Sequence, residues 1–379
     1  MKKNKFLVFG LIALSLAFTN CNKEEESMQT ENIAFNFGQI VSRSFEGKVV
    51  DENKYPIANV VVSLNGQLTS TDSNGNFSLV NVPVLERLGY IKTVKEGYLD
   101  GSRTVFSHEG LNKVSIMMLT QNVTETIATG EVSVVSLPSS AKVTFDGAFM
   151  TASGLPYNGL VDVYMHHLDA ADPNVFYKMP GNLIGTRTDG STSGMETYGM
   201  VNVELRGSEG QELQIASGHT ANLSLPIAPN QLDTAPSTIP LWHFNETSGL
   251  WEEQGFSRRV GNRYVGNVSH FTWWNNDYAF VVASLTTVVT NFDGTPVNGV
   301  RVTISRPSGS TGDVLIDLGT TSVNGTLTAG VPRNEPLRFR AFTADGQLIS
   351  EQLLPASNQL SRTVFVVIPI INKSGSVKK

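Results

Sequence analysis

The amino-acid sequence predicts an all-β protein built from tandem β-sandwiches, and three observations support this. Apolar and polar residues alternate with a period of two in many short stretches, for example at Val161, Val163 and Met165, so each stretch can form a strand with one apolar face. Gly, Asn, Asp and Pro separate the stretches, and almost no sustained helical period is present. A chain of 379 residues has room for two or three such units.

Composition limits the classes of protein to which the chain can belong. Charged residues make up 16% and hydrophobic residues 40% of the sequence, which is typical of a folded chain and unlike a disordered polyelectrolyte or a polytopic membrane protein. The formal net charge is −6, and a field of that sign repels phosphate backbones. We therefore expect no nucleic-acid partner.

The first 20 residues have the pattern of a secretory signal peptide. Lys2, Lys3 and Lys5 precede an apolar run from Phe6 to Phe18. A run of this length suits a signal sequence and is shorter than the roughly 20 residues needed to span a bilayer. We expect export followed by cleavage.

Cys21 is the single cysteine of the chain, so an intramolecular disulfide is excluded. The stretch Leu16–Cys21 resembles the lipobox of bacterial lipoproteins, which implies that Cys21 carries a diacylglycerol and further acyl chains such as palmitate. The acidic run Asn22–Ser27 resembles the export signal of surface lipoproteins of Bacteroidetes. Together these resemblances imply a lipid-anchored, surface-exposed protein of the outer membrane, held by a polar tether.

Two segments near the ends of the chain repeat each other. Pro56–Leu64 matches Pro296–Ile304 position by position in chemical type, and Thr71–Ser78 matches Thr321–Thr328. Each copy has an Asn-Gly pair between β-prone stretches, which predicts type I′ turns of β-hairpins. The two ends should therefore share one fold.

These segments, which in the first copy follow Gly47-Lys48-Val49, resemble the carboxypeptidase regulatory-like domain, a transthyretin-like sandwich of seven strands. In that family the domain is a non-catalytic appendage, so the resemblance implies no active-site residue. The predicted organisation is a signal peptide (1–20), lipidated cysteine and tether (21–38), first regulatory-like sandwich (39–122), central β-rich module (123–283), second regulatory-like sandwich (284–371) and tail (372–379).

The central module contains the most distinctive motifs. Ile239–Phe244, Gly249–Glu253 and Tyr264–Asp277 resemble the extracellular module of astroprincin-type proteins and of cartilage intermediate layer protein. The resemblance implies an extracellular scaffolding role and brings no established catalytic residue.

Aromatic residues concentrate in this module and have two interpretations. The candidate ligand-binding residues are the four tryptophans and one tyrosine, Trp242, Trp251, Trp273, Trp274 and Tyr264. Exposed rings can stack on sugars, whereas buried rings would form the core, since each removes about 150–250 Å² from water. Because Trp273 and Trp274 are neighbours on a strand, they should face opposite sides.

Motifs for metal binding and catalysis are absent from the sequence. No His-Glu-x-x-His motif, paired histidines with zinc spacing or Gly-x-Ser-x-Gly elbow is present. We expect no metal, no cofactor and no enzymatic activity, although a triad assembled from distant residues would not be visible in sequence.

The sequence thus predicts a surface lipoprotein built as a rod of sandwiches, acting in adhesion or cell-envelope scaffolding. Its expected partners are the membrane, through Cys21, and a glycan or an extracellular or envelope protein. The alternatives are a glycan-binding component of a polysaccharide-uptake system and a fimbrial subunit.

Overall fold

The structure is a computed structural model that describes residues 37–307 and 313–368. The predicted signal peptide, Cys21, most of the tether and the tail lie outside the described residues. The regular structure of these residues is almost all strand, and they include one helical turn, α1 (Val175–Lys178), and one 3₁₀ turn at Pro229–Gln231. The all-β prediction is confirmed. Among the described residues, no helix has the length and apolar character to cross a membrane.

The N-terminal sandwich has seven strands. They are β1 (Ile40–Val50), β2 (Val61–Leu64), β3 (Gln67–Ser70), β4 (Asn76–Leu85), β5 (Gly89–Val94), β6 (Gly101–Val105) and β7 (Leu111–Met117). One sheet has the order β4-β1-β7, with β1 and β7 parallel, and the facing sheet has the order β3-β2-β5-β6. Alternate side chains of both sheets, including Phe45, Val62 and Ile91, meet in one core.

The central module has fourteen strands. They are β8 (Glu125–Ala128), β9 (Ser133–Ser136), β10 (Lys142–Phe145), β11 (Phe149–Thr151), β12 (Pro156–Tyr157), β13 (Leu160–Leu168), β14 (Ile184–Thr186), β15 (Thr192–Gly207), β16 (Glu212–Ile215), β17 (Ala221–Pro226), β18 (Thr238–Asn245), β19 (Leu250–Val260), β20 (Arg263–Val268) and β21 (Trp273–Phe280). All belong to one hydrogen-bonded sheet, which surrounds a core containing Val163, Val203 and Phe271.

The C-terminal sandwich again has seven strands. They are β22 (Val282–Asn291), β23 (Arg301–Arg306), β24 (Val314–Thr320), β25 (Thr326–Pro332), β26 (Leu337–Phe342), β27 (Leu348–Leu354) and β28 (Ser361–Ile368). Its sheets have the orders β25-β22-β28 and β24-β23-β26-β27, with β22 and β28 parallel. This topology equals that of the N-terminal sandwich strand for strand.

The sequence repeat extends to individual hydrogen bonds. The Thr71 hydroxyl donates to the carbonyl of Ile57 at 2.7 Å and accepts from the N–H of Val60 at 2.9 Å. Thr321 forms the corresponding bonds at 2.8 and 3.0 Å. Each threonine therefore fixes the same loop against the same strand in its own sandwich.

The turn type predicted for the repeated Asn-Gly pairs is wrong. Gly75 and Gly325 have φ of 75° and 68°, but neither preceding asparagine has a positive φ. These turns connect strands of different sheets, so no hairpin twist selects a type I′ turn. Asn65 and Gly66, with φ of 46° and 82°, join the true hairpin of β2 and β3.

The described residues belong to a single compact unit, which differs from the rod expected from sequence. Val105 and Val114 of the N-terminal sandwich line one side of a cleft, and Ile304 and Leu318 of the C-terminal sandwich line the other. The terminal sandwiches thus lie next to each other instead of at opposite ends of the central module, because apolar surface on all three modules is buried together.

Candidate functional site

The three modules share one buried apolar cluster, which we call the junction. Its fully buried members are Leu99, Leu119, Leu168, Val175, Phe176, Met179, Leu183, Met195, Met200, Trp242, Phe244, Trp251 and Trp273. Leu99 and Leu119 belong to the N-terminal sandwich, and Leu315 and Leu318 of the C-terminal sandwich pack against the cluster. Burial of apolar surface at about 25 cal/mol per Å² makes such a cluster a major source of cohesion.

Trp273 and Trp274 face opposite sides of β21, as predicted, and both are buried. Trp274 lies in the central core, where its Nε1 donates to the carbonyl of His270 at 2.9 Å. Trp273 points the other way and lies in the junction. The ring expected to meet solvent, a partner domain or a glycan therefore lies in the apolar cluster that the three modules share.

The remaining candidate binding residues are buried as well. Trp242 and Trp251 lie in the junction, where the Trp251 ring is 5.2 Å from that of Phe244. Tyr264 packs edge-on against Tyr198 at 5.8 Å and donates to the carbonyl of Pro236 at 2.8 Å. None of the five rings presents a face to solvent. These positions do not fit the glycan-stacking role, because neighbouring sheets and modules cover them.

His243 and His270 extend the aromatic packing around Trp274. Their rings are 4.9 Å apart, and the His270 ring lies 4.9 Å from that of Trp274. Burial lowers the pKa of His270 to about 4 and also lowers that of His243, so both are neutral near pH 7. Within the described ranges, no group of three or more His, Cys, Asp or Glu side chains is placed to hold a metal ion.

Arg103 of β6 connects all three modules at the rim of the junction. Its Nη1 donates to the carbonyl of Phe176 and, at 3.2 Å, to that of Gly181. Burial lowers the pKa of Arg103, opposed by the charge of Asp317 on β24. Burial raises the pKa of Asp317 to about 6, again opposed by the Arg103 charge. The two groups line the same cleft of about 100 Å³, and the charge of each opposes the shift that burial causes in the pKa of the other.

Side-chain hydroxyls of β6 bond to the backbone of the central module. The Ser102 hydroxyl accepts from the N–H of Gly181 at 3.2 Å, and the Thr104 hydroxyl donates to the carbonyl of Gly249 at 2.6 Å. These contacts place the central module against an edge strand of the N-terminal sandwich.

A buried ion pair connects the central module to the C-terminal sandwich. The Glu196 carboxylate on β15 pairs with the Arg306 guanidinium on β23, which also contacts Glu335 at 2.6 Å. A buried charge of this kind is strongly destabilising when its partner is removed.

Carboxylates crowd the contact between the N-terminal sandwich and the central module. Burial raises the pKa values of Asp100, Glu204 and Glu246. The charges of Asp100 and Glu204 raise the pKa of Glu246 further, whereas the charge of Arg206 opposes the shifts of Asp100 and Glu204. Glu204 accepts from Gln121 at 2.7 Å. This contact therefore favours protonated carboxyl groups.

Asp277 is the most deeply buried acid of the central module. Among the residues that the structure describes, neither of its carboxylate oxygens has a hydrogen-bond partner. Burial raises the pKa of Asp277 well above the usual value, opposed by the hydroxyl of Thr197. The carboxyl is therefore neutral over a wide pH range.

Sequence reasoning missed Arg103, Glu196, Asp277 and Asp317. One signal was present for Arg103: it sits in β6 at an inward position that pairs with the core residue Ile91, where an apolar residue is expected. The others follow no local pattern, because their partners come from different modules.

Comparison with known proteins supports one of the predicted resemblances. The chain is 30% identical to human cartilage intermediate layer protein 2 over 156 residues, covering 41% of this chain and 13% of that protein. It is 29% identical to human cartilage intermediate layer protein 1 over 108 residues, covering 28% and 9%. The chain thus spans a small fraction of these relatives. No family model matches it.

Solved structures with similar elements include surface proteins and an enzyme. The full-length major pilin SpaD of Corynebacterium diphtheriae is 8% identical, covering 86% of this chain and 98% of that chain with a TM-score of 0.19. The major pilin subunit BcpA of Bacillus cereus is 11% identical, covering 86% and 99% with a TM-score of 0.17. An intradiol ring-cleavage dioxygenase of Tetranychus urticae is 17% identical, covering 20% and 50% with a TM-score of 0.16. Scores this low carry no argument about function. The chain has weak homology to the cartilage intermediate layer proteins and the fold of tandem β-sandwiches.

Proposed function

We propose that this chain is a non-catalytic surface lipoprotein of the outer membrane that acts in adhesion or cell-envelope scaffolding. The observation that carries the proposal is the junction, in which apolar side chains of three modules pack together within a single compact unit. Such a unit resists separation of its modules, which suits a load-bearing or spacing role. The weak homology to cartilage intermediate layer proteins supports an extracellular setting.

The finer assignments belong to this proposal. We assign the terminal sandwiches to the carboxypeptidase regulatory-like domain, whose seven-strand architecture they share, and Cys21 to lipid attachment. Its partners are then the membrane, through the anchor, and an extracellular or envelope protein. Burial of all five candidate rings leaves the glycan-binding alternative without the surface that motivated it.

Lipid attachment and display on cells are tested together. In a bacterial host with an outer membrane, a fatty-acid analogue should label the wild type and leave Cys21→Ala unlabelled. Protease added to intact cells should trim the labelled protein, and the labelled cells should adhere to immobilised matrix proteins or resist detergent better than cells with Cys21→Ala. Equal labelling of both proteins would refute the anchor, and complete protection from protease would refute surface display.

The second candidate function is that of a subunit in a surface fibre. Unpaired sheet edges with exposed apolar side chains, among them Leu68 on β3 and Phe365 on β28, favour it. Such edges are templates for association with other chains.

A further inference from the structure

The registers of the two terminal sandwiches align their residues one to one. Arg103 of β6 pairs with Ile91, and Gln352 of β27 pairs with Phe339. Ile91 pairs with Leu64, the last residue of the first repeated segment, and Phe339 pairs with Ile304, the last residue of the second. Ile91 and Phe339 therefore occupy the same position of β5 and β26. Gln352 of the C-terminal sandwich therefore stands where the N-terminal sandwich has Arg103.

The same argument aligns the opposite edges of the two sandwiches. Gln67 of β3 pairs with Leu64, and Asp317 of β24 pairs with Ile304. Leu64 and Ile304 are the matched ends of the repeat. Gln67 of the N-terminal sandwich therefore stands where the C-terminal sandwich has Asp317, and Leu68 stands where it has Leu318.

Inside one chain, these two edges face each other. The β6–β7 edge of the N-terminal sandwich carries Arg103, and the β24 edge of the C-terminal sandwich carries Asp317, on the two sides of one cleft. The internal contact thus joins the β6–β7 edge of the N-terminal sandwich to the β24 edge of the C-terminal sandwich. Strand β24 corresponds to β3 of the N-terminal sandwich.

Within residues 37–307 and 313–368, the counterparts of both edges are exposed. On the β27–β28 edge, Leu353 is 65% and Val367 56% exposed, whereas the aligned residues Thr104 and Met117 are 1% and 3% exposed. Thr104 lines the cleft and also donates to Gly249 of the central module. On the β3 edge, Leu68 is 68% exposed. Both free edges thus expose large apolar side chains, as a protein-protein contact surface does.

We propose that the β27–β28 edge binds the β3 edge of a second copy of this chain, head to tail, in the manner of the internal contact. Gln352 of one copy then faces Gln67 of the next, where Arg103 faces Asp317 within a chain. Two amides offer complementary donors and acceptors without burying a charge. The exposed leucines Leu353 and Leu68 supply apolar area. Because the contact joins two different surfaces, every assembly still has one free β27–β28 edge and one free β3 edge. Further copies can therefore add, which generates rings or filaments.

This self-association deepens the second candidate function, that of a subunit in a surface fibre. It rests on that proposed function only for the location of the fibre on cells. A chain that starts at residue 33 and keeps the compact unit is examined by sedimentation velocity from low to high micromolar concentration. The wild type should show a weight-average mass that grows with concentration. Leu353→Asp and Leu68→Asp, each alone, should weaken association about tenfold or more.

Mixing the two variants tests the head-to-tail geometry. Each mixed pair retains one intact β27–β28 edge and one intact β3 edge. At concentrations where each variant alone is monomeric, a mixture should therefore form dimers and no longer species. Val134→Asp, at an exposed apolar position on the edge strand β9, is the matched control and should associate like the wild type. Circular dichroism and thermal unfolding verify that all variants are folded.

Three results would overturn the inference. They are a wild type that stays monomeric at every concentration, a Leu68→Asp variant that associates like the wild type, and a mixture that fails to form dimers. A monomeric wild type with normal lipid labelling and surface display would leave the scaffolding proposal standing, so the two failures are distinguishable.

Discussion

The two terminal sandwiches have the same seven strands, sheet orders and threonine hydrogen bonds, but they bury opposite edges. The β6–β7 edge of the N-terminal sandwich is covered by the central module and by the β24 edge of the C-terminal sandwich. The C-terminal sandwich leaves β27 and β28 exposed. The same sandwich core therefore forms whichever of its sheet edges is buried. The difference shows that a repeated sandwich can pack against the other modules of one protein through either of its two edges.

Matched truncations on the two edges should give the largest difference. Met117→Ala removes a buried side chain and should lower the free energy of unfolding by about 2–5 kcal/mol. Val367→Ala, at the aligned and exposed position, should change it by less than about 0.5 kcal/mol. Urea denaturation measures both.

Equal losses in the two variants would show that the edges are equally buried, and would remove the basis of the comparison. Unchanged far-ultraviolet circular dichroism in both variants is the control for folding.

A pH titration should separate the charged edge from its neutral counterpart. Burial raises the pKa of Asp317 from 3.8 to about 6, so the folded state binds this proton more tightly than the unfolded state. The contribution of protonated Asp317 to the free energy of unfolding is complete below about pH 4 and is lost as the pH rises through about 6. Asp317→Gln copies Gln67 of the other sandwich and should remove this loss, on the order of 3 kcal/mol.

The measurement is the free energy of unfolding of both proteins between pH 4 and pH 8. Parallel curves for wild type and variant would contradict the assignment of this titration to Asp317.

Truncating the shared hydroxyl should give the smallest and most similar effects. Thr71→Val and Thr321→Val keep the side-chain shape and leave the buried backbone partners of each hydroxyl unpaired. Each should cost about 1–3 kcal/mol. Thermal or urea unfolding of the two variants gives the comparison, and a loss confined to one sandwich would show that the repeat is not equivalent at this bond.

Several features were predictable because they depend on local periodicity. The period of two placed Trp273 and Trp274 on opposite faces of one strand, and both the all-β class and the terminal repeat follow from similar patterns. The turn at Gly75 was predictable in place but not in type, because its type depends on which sheets the flanking strands join.

The candidate site was predictable only in part. The sequence identified aromatic residues of the junction but not whether they are exposed. A ring on the outer face of one sheet gives the same sequence pattern whether or not another module covers it. Arg103 and Asp317 lie more than 200 residues apart in sequence, and their proximity required the full fold.

The sequence by itself determined the strands, the repeat and the charges available to each edge, because these depend on side-chain alternation and on short matched stretches. Only the tertiary structure decided that the tryptophans are buried, that the terminal sandwiches lie side by side, and which of two equivalent edges each sandwich leaves open. The physical reason is that apolar burial is non-directional. The strand pattern specifies that a face is apolar, and long-range packing selects the surface that covers it.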